Sequence, residues 1–226
     1  MSNGTNMKNK APATVISFAD YQRLYRVIVT VLNSVDAHSP HACKFFAIAG
    51  AYILSKTHGL DASPRFGSAF FRVDDPSDFV MAFTDIEAFQ REELESHPEA
   101  FHAWIECNGV VIDLLAPLFR ESLLSQMPDS TLRLSRKMFQ KRMSQMARSP
   151  FELTKEGDFY LDINSSLTNE MIRDFTSRNM NKDLVEVCRH WYKPTPKAIE
   201  SQLEMGSNDG TVTLMRLDDT ELFGKW

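Results

Sequence analysis

The dipeptide Asn108-Gly109 stands between two apolar runs, Phe101 to Cys107 and Val110 to Leu114. Asn-Gly is the strongest two-residue hairpin signal, because a type I′ turn needs positive φ at both central positions and these residues adopt it at least cost. A chain carrying it here is committed to an antiparallel ladder. The register sets Cys107 opposite Val110, Ile105 opposite Ile112 and Trp104 opposite Asp113. Helices come first. Phe18, Tyr21, Leu24, Tyr25, Ile28, Val31 and Leu32 recur at helical spacing, with Ser17 as N-cap, so the first helix spans Ser17 to Val35. A second is expected to open with Ser39 as N-cap and Pro40 at its first position, and to run to about His58, where Gly59 stops it. Strand-like runs at Ser68 to Val73 and Phe79 to Thr84 precede the hairpin. Helices followed by an antiparallel sheet make an α+β chain rather than a βαβ one.

Further on, Ala116 to Gln126 and Leu132 to Ala147 both read as helix. The second carries a basic run, Arg133, Arg136, Lys137, Lys141, Arg142 and Arg148, with no acidic residue among them. Phe151 to Ile163 reads as a hairpin turning at Lys155-Glu156-Gly157-Asp158. Short helices are expected over Thr168 to Arg178 and Lys182 to Trp191, with another from Thr195-Pro196 to Met205. A turn at Gly206 to Gly210 then leads into a last strand, Thr211 to Leu217. Residues 1–14 are polar and are expected to be a disordered arm, with 15–226 forming one α+β domain. Within it, 39–117 would be the chemical frame and 118–226 a helical and strand elaboration.

Composition narrows the function classes. The 226 residues are 43% apolar, enough for a core without staples, and three cysteines are too few and too odd for a disulfide framework. The net charge of −5 argues against nucleic-acid wrapping as the main role. No apolar run reaches the roughly 20 residues of a membrane span, and the N-terminal residues have no signal-peptide core. A cytoplasmic protein with reduced thiols is expected.

Of the three thiols, Cys43 lies within about a turn of the expected start of the second helix, where unpaired N–H groups favour a thiolate. Ala47 and Gly50 share its face and would leave room beside the sulfur. Cys107 and Cys188 read as core residues. A thiolate nucleophile needs a base, and the base an orienting group. His102 and Asp113, on the two hairpin strands, are the candidates. The tight register is read as turning Asp113 away from the His102 face, so a bulge or a four-residue loop is expected to bring it round. His38, His41 and Cys43 have ligand chemistry but no return motif, and no metal or cofactor is expected.

His102-Ala103-Trp104-Ile105-Glu106 followed by Val111-Ile112-Asp113 resembles the His-x-Trp-x-Glu…Asp segment of transglutaminase-like proteins. Upstream, Cys43 and then Gly59-Leu60-Asp61-Ala62 entering a strand are similar to the same family's pattern. Papain-like peptidases and arylamine N-acetyltransferases are its broader relatives. The resemblance covers residues 39–117. It implies an α+β fold with the nucleophile at a helix N-terminus packed on an antiparallel sheet. It also implies Cys43 as nucleophile, His102 as general base and acid, and Asp113 as the group orienting His102. The activity implied is a cysteine hydrolase or acyltransferase working through a thioester on a small-molecule or peptide acyl substrate. One departure stands out: no Gln or Asn lies between Ser34 and Cys43 to bind an oxyanion. His38 and Trp104 are therefore candidates for oxyanion binding or substrate lining. The rival expectation is a non-catalytic module of the same fold, docking an anionic partner through the basic helix 133–148.

Overall fold

The computed structural model describes residues 14–39, 42–207 and 209–226. Residues 1–13 of the N-terminal arm, Pro40 and His41 lie outside the described residues, and with them the readings that rested there. Helix α1 (Phe18–Ser34) begins as expected, the Ser17 hydroxyl accepting from the Asp20 N–H. Helix α2 (Cys43–His58) ends at Gly59 in the left-handed conformation, φ 64°. Its start differs from the expectation: the cap residue is Ala42, so Cys43 is the first helical residue. Ser39 does not cap the helix because its hydroxyl donates to the Asn33 side chain at 2.6 Å.

Eight strands follow: β1 (Ala62–Asp74), β2 (Phe79–Phe83), β3 (His102–Cys107), β4 (Val110–Asp113), β5 (Phe139–Arg142), β6 (Phe159–Ile163), β7 (Gln202–Gly206) and β8 (Val212–Arg216). Among the described residues, beside short 3-10 turns, the further α-helices are α3 (Ile86–Gln90), α4 (Phe119–Gln126), α5 (Ser165–Ser177) and α6 (Asn179–Trp191). The main sheet runs β2-β1-β3-β4-β5, with β6 also on β1, and every pairing is antiparallel. β7 and β8 form a separate hairpin.

Long strand β1 organises the sheet. Its first half pairs with β3 and its second half with β6, and Gly67 faces both His102 and Ile163. The sheet curls hard enough for rings on strands far apart in the ladder to meet. Phe139 of β5 lies 5.1 Å from Phe71 of β1 and 5.3 Å from Phe159 of β6, centroid to centroid. The concave face is thus rich in aromatics, with Trp104 and Phe119 of α4 among them and Val111 packed beside them. On the convex face Phe66, Ala103, Ile105, Val110 and Ile112 pack against the long helices. The protein is a mixed α and β structure, helices packed on a curled antiparallel sheet. Among the described residues no helix is long and apolar enough to cross a membrane.

Three segments depart from expectation. Residues 132–147 are not a helix: an irregular stretch leads into β5. Met138 and Phe139 are adjacent and both buried, yet they enter opposite cores. Consecutive side chains on opposite sides require a strand. The basic helix therefore does not exist, and several of its cations are used internally. Arg136 pairs with Glu121 at 2.5 Å, Lys137 with Glu156, and Lys141 donates to the Gly157 carbonyl. The hairpin expected over 151–163 is half present: β6 forms, but its partner is β1. No helix follows Thr195-Pro196, because the Thr195 N–H and hydroxyl are held by the Asp20 carboxylate of α1 (2.8 and 3.0 Å), and the chain goes on into β7.

Candidate active site

The Asn108-Gly109 turn is the two-residue type, with φ of 50° and 74°, and β3 and β4 pair in the register read from the sequence. No bulge or longer loop intervenes. The inference that Asp113 faces away from His102 is overturned, for a reason inherent in the pleat. Residues opposite one another in an antiparallel pair share a face, and alternate residues along a strand share it too. A position opposite Trp104 is therefore on the same side as His102, one diagonal step away. Trp104 and Val111 of this face both lie in the concave core.

His102 and Asp113 meet there with no measurable exposure of either residue, His102 Nε2 lying 2.7 Å from Asp113 Oδ2. The other carboxylate oxygen, Oδ1, accepts from the Leu115 N–H at 2.8 Å. The Tyr21 hydroxyl of α1 donates to the Asp113 main-chain carbonyl. Rings hold the imidazole: Phe83 stacks on it at 4.4 Å and 29°, and Phe71 meets it edge-on at 5.5 Å and 77°. Tyr21 and Phe83 belong to the site but carried no chemical signal in the sequence. Both look like ordinary core residues until the sheet curls.

With Nε2 on Asp113, Nδ1 is the ring atom left for Cys43. It is buried, and no described group makes a well-aligned hydrogen bond to it. Burial opposes charge on this ring. The carboxylate charge and hydrogen bond of Asp113, with the Cys43 thiol, outweigh that and raise the His102 pKa to about 10. Because this lies above the ordinary value of 6.5, the folded state gains stability below pH 6.5 and loses it as pH rises to about 10. The loss from this group is at most ~1.4 kcal/mol per pH unit. Nitrogen NMR of the ring is expected to show a protonated His102 at pH 8. A neutral ring at that pH would contradict the arrangement.

Cys43 is 8% exposed and opens on a cleft of about 440 Å³, whose walls include His102, Phe83, Phe101 and Leu115. As the first residue of α2, its N–H lies outside the intrahelical ladder. The small residues on its helix face do not make room beside the sulfur. A Cβ on Gly50 would fall 2.4 Å from Leu114 Cδ1 and 2.6 Å from Ile105 Cδ1, so smallness there lets α2 press close to the sheet. Of the two suggested lining residues, neither borders the cleft. Trp104 is fully buried in the concave core, since the curl points it inward, and His38 is exposed on the segment before α2. Cys107 and Cys188 are fully buried, and burial pushes both thiols up.

Comparison with known proteins gives fold and family. A solved crystal structure of a genomics target matches with a TM-score of 0.82 and 30% identity, over 95% of this chain and 98% of the other. No curated protein matches the sequence. A family model described as "Protein of unknown function (DUF2026)" matches residues 17–226, a span that includes Cys43, His102 and Asp113. The chain belongs to the DUF2026 family.

Proposed function

We propose that the protein is a cysteine-dependent hydrolase or acyltransferase of papain-like or transglutaminase-like fold, acting through a thioester on Cys43. The observation that carries this reading is His102, paired at 2.7 Å with the buried Asp113 behind it and lining the same cleft as a thiol at the first residue of a helix. Three separate elements supply the three groups, and each group is in the role that nucleophilic catalysis requires. In the resting site His102 Nδ1 holds the proton of the Cys43 thiol, and the Sγ thiolate so formed attacks an acyl carbon. The oxygen of the tetrahedral adduct gains negative charge at the N-terminus of α2, where the Cys43 N–H and the helix dipole favour it. Nδ1–H then protonates the leaving group as its bond to carbon breaks, leaving the thioester. Water or an amine, deprotonated by the same nitrogen, attacks the thioester and restores the thiol. Asp113 keeps the ring oriented and stabilises its charged form throughout.

Alkylation by iodoacetamide tests the first step. Cys43 is expected to react at least about tenfold faster than free cysteine at pH 7, and His102→Ala to remove that advantage. Cys107 and Cys188 should stay unlabelled in the folded protein, since neither is exposed. A Cys43 no faster than free cysteine, or unaffected by His102→Ala, rules the reading out.

A further inference from the structure

We propose that Glu99, on the wall of the Cys43 cleft, selects substrates bearing positive charge. The inference rests on the thioester reading and adds a substrate class to it. The cleft lining includes the apolar side chains of Phe83, Phe101, Leu115 and Ile86. Thr84, Ser122 and Gln126 are its uncharged polar members, and the buried Thr84 hydroxyl is held by Ser68 (2.8 Å) and the Glu95 carbonyl (2.8 Å). Beyond His102 and Cys43, Glu99 is the one described lining residue with a formal charge at neutral pH.

Its position is built. His97 and Ala100 exchange both main-chain hydrogen bonds (3.2 and 2.9 Å), which pins Pro98-Glu99 at the tip of a tight loop. The His97 ring is anchored in turn to the Asp85 carboxylate at 3.1 Å. An exposed carboxylate on the wall of a cleft projects its field into that cleft. A cation on the substrate, outside the reacting carbonyl, is attracted, and an acyl chain ending in a carboxylate is repelled.

Charged thiol reagents read this field directly. The whole protein is treated with a cationic trimethylammonium-ethyl methanethiosulfonate, an anionic sulfonatoethyl methanethiosulfonate and the neutral methyl reagent. In each case Cys43 Sγ displaces methanesulfinate and forms a mixed disulfide. With each rate divided by the neutral one, Glu99→Gln is expected to lower the cation-to-anion ratio about threefold at low ionic strength. Glu170→Gln, the same charge change at an exposed site on α5, should leave the ratio unchanged. At about 1 M salt, where the screening length is about 3 Å, the effect of Glu99→Gln should vanish. The proposal is overturned if Glu99→Gln leaves the ratio intact, or if Glu170→Gln shifts it equally. The ratio can be measured even for an unactivated thiol, so this outcome is separate from failure of the thioester reading.

Discussion

Asp113→Asn is expected to slow acylation of Cys43 by an activated ester about 10³- to 10⁴-fold, with the folded structure kept. The size of the effect follows from one main-chain hydrogen bond. The Leu115 N–H donates to Asp113 Oδ1 at 2.8 Å and requires an acceptor in that place. An asparagine therefore keeps its oxygen on Leu115 and turns its NH₂ toward His102 Nε2. That nitrogen must then accept, so the neutral ring carries its proton on Nδ1, the atom meant to take one from Cys43. The variant is isosteric and satisfies its hydrogen bonds, yet holds the wrong tautomer. Burst kinetics with a nitrophenyl ester would measure the loss, and a urea transition would confirm the fold. A rate within tenfold of the parent would remove Asp113 from the proposed triad.

The second large effect concerns the backbone that carries His102. Gly67 stands where β3 leaves β1 and β6 joins it, opposite both His102 and Ile163. A Cβ placed on it would lie 1.9 Å from the Asp162 carbonyl oxygen and 3.0 Å from the Asn164 nitrogen. Both obstacles are main chain, so no side-chain rotation relieves them. Gly67→Ala is expected to cost about 3 kcal/mol or more, seen as a fall in Tm of about 6–12 °C. Gly206→Ala is the control: its Cβ meets nothing within 4 Å, and removing glycine from a strand should be neutral or mildly stabilising. If Gly67→Ala melts with the parent protein, the close approach of β6 to β1 does not constrain the fold as described.

How much of this was legible in the residues depended on the range of the physics involved. Local signals held. Ser17 caps α1, Gly59 ends α2 in the left-handed region, and Asn108-Gly109 fixes the β3–β4 register, because each answers a requirement of its own neighbouring backbone. The short helices α5 and α6 also form close to the expected segments, each starting three residues earlier. Segments with distant partners were misread. Residues 139–142 look helical by charge spacing, but β4 supplies a ladder and two separate cores claim adjacent side chains. Thr195-Pro196 looks like a helix start, but Asp20, far back in the chain, occupies the capping threonine.

The same division runs through the candidate site. The order Cys43, His102, Asp113 and the hairpin carrying the last two were readable in advance, and a correct reading of the pleat would also have put both on one face. The contacts that make them a site came from elsewhere. The Phe83 ring on His102, the Tyr21 hydroxyl on the Asp113 carbonyl and the Leu115 N–H on its carboxylate all depend on how the sheet curls and where α1 lies against it. By itself the sequence determined the Ser17 cap, the Gly59 stop and the one register that a two-residue loop allows. Only the tertiary structure decided which strand β5 and β6 would pair with, that Trp104 would be core and not cleft, and that His102 would be buried against Asp113. Those outcomes turn on burial shared among distant segments, and no short window of residues contains them.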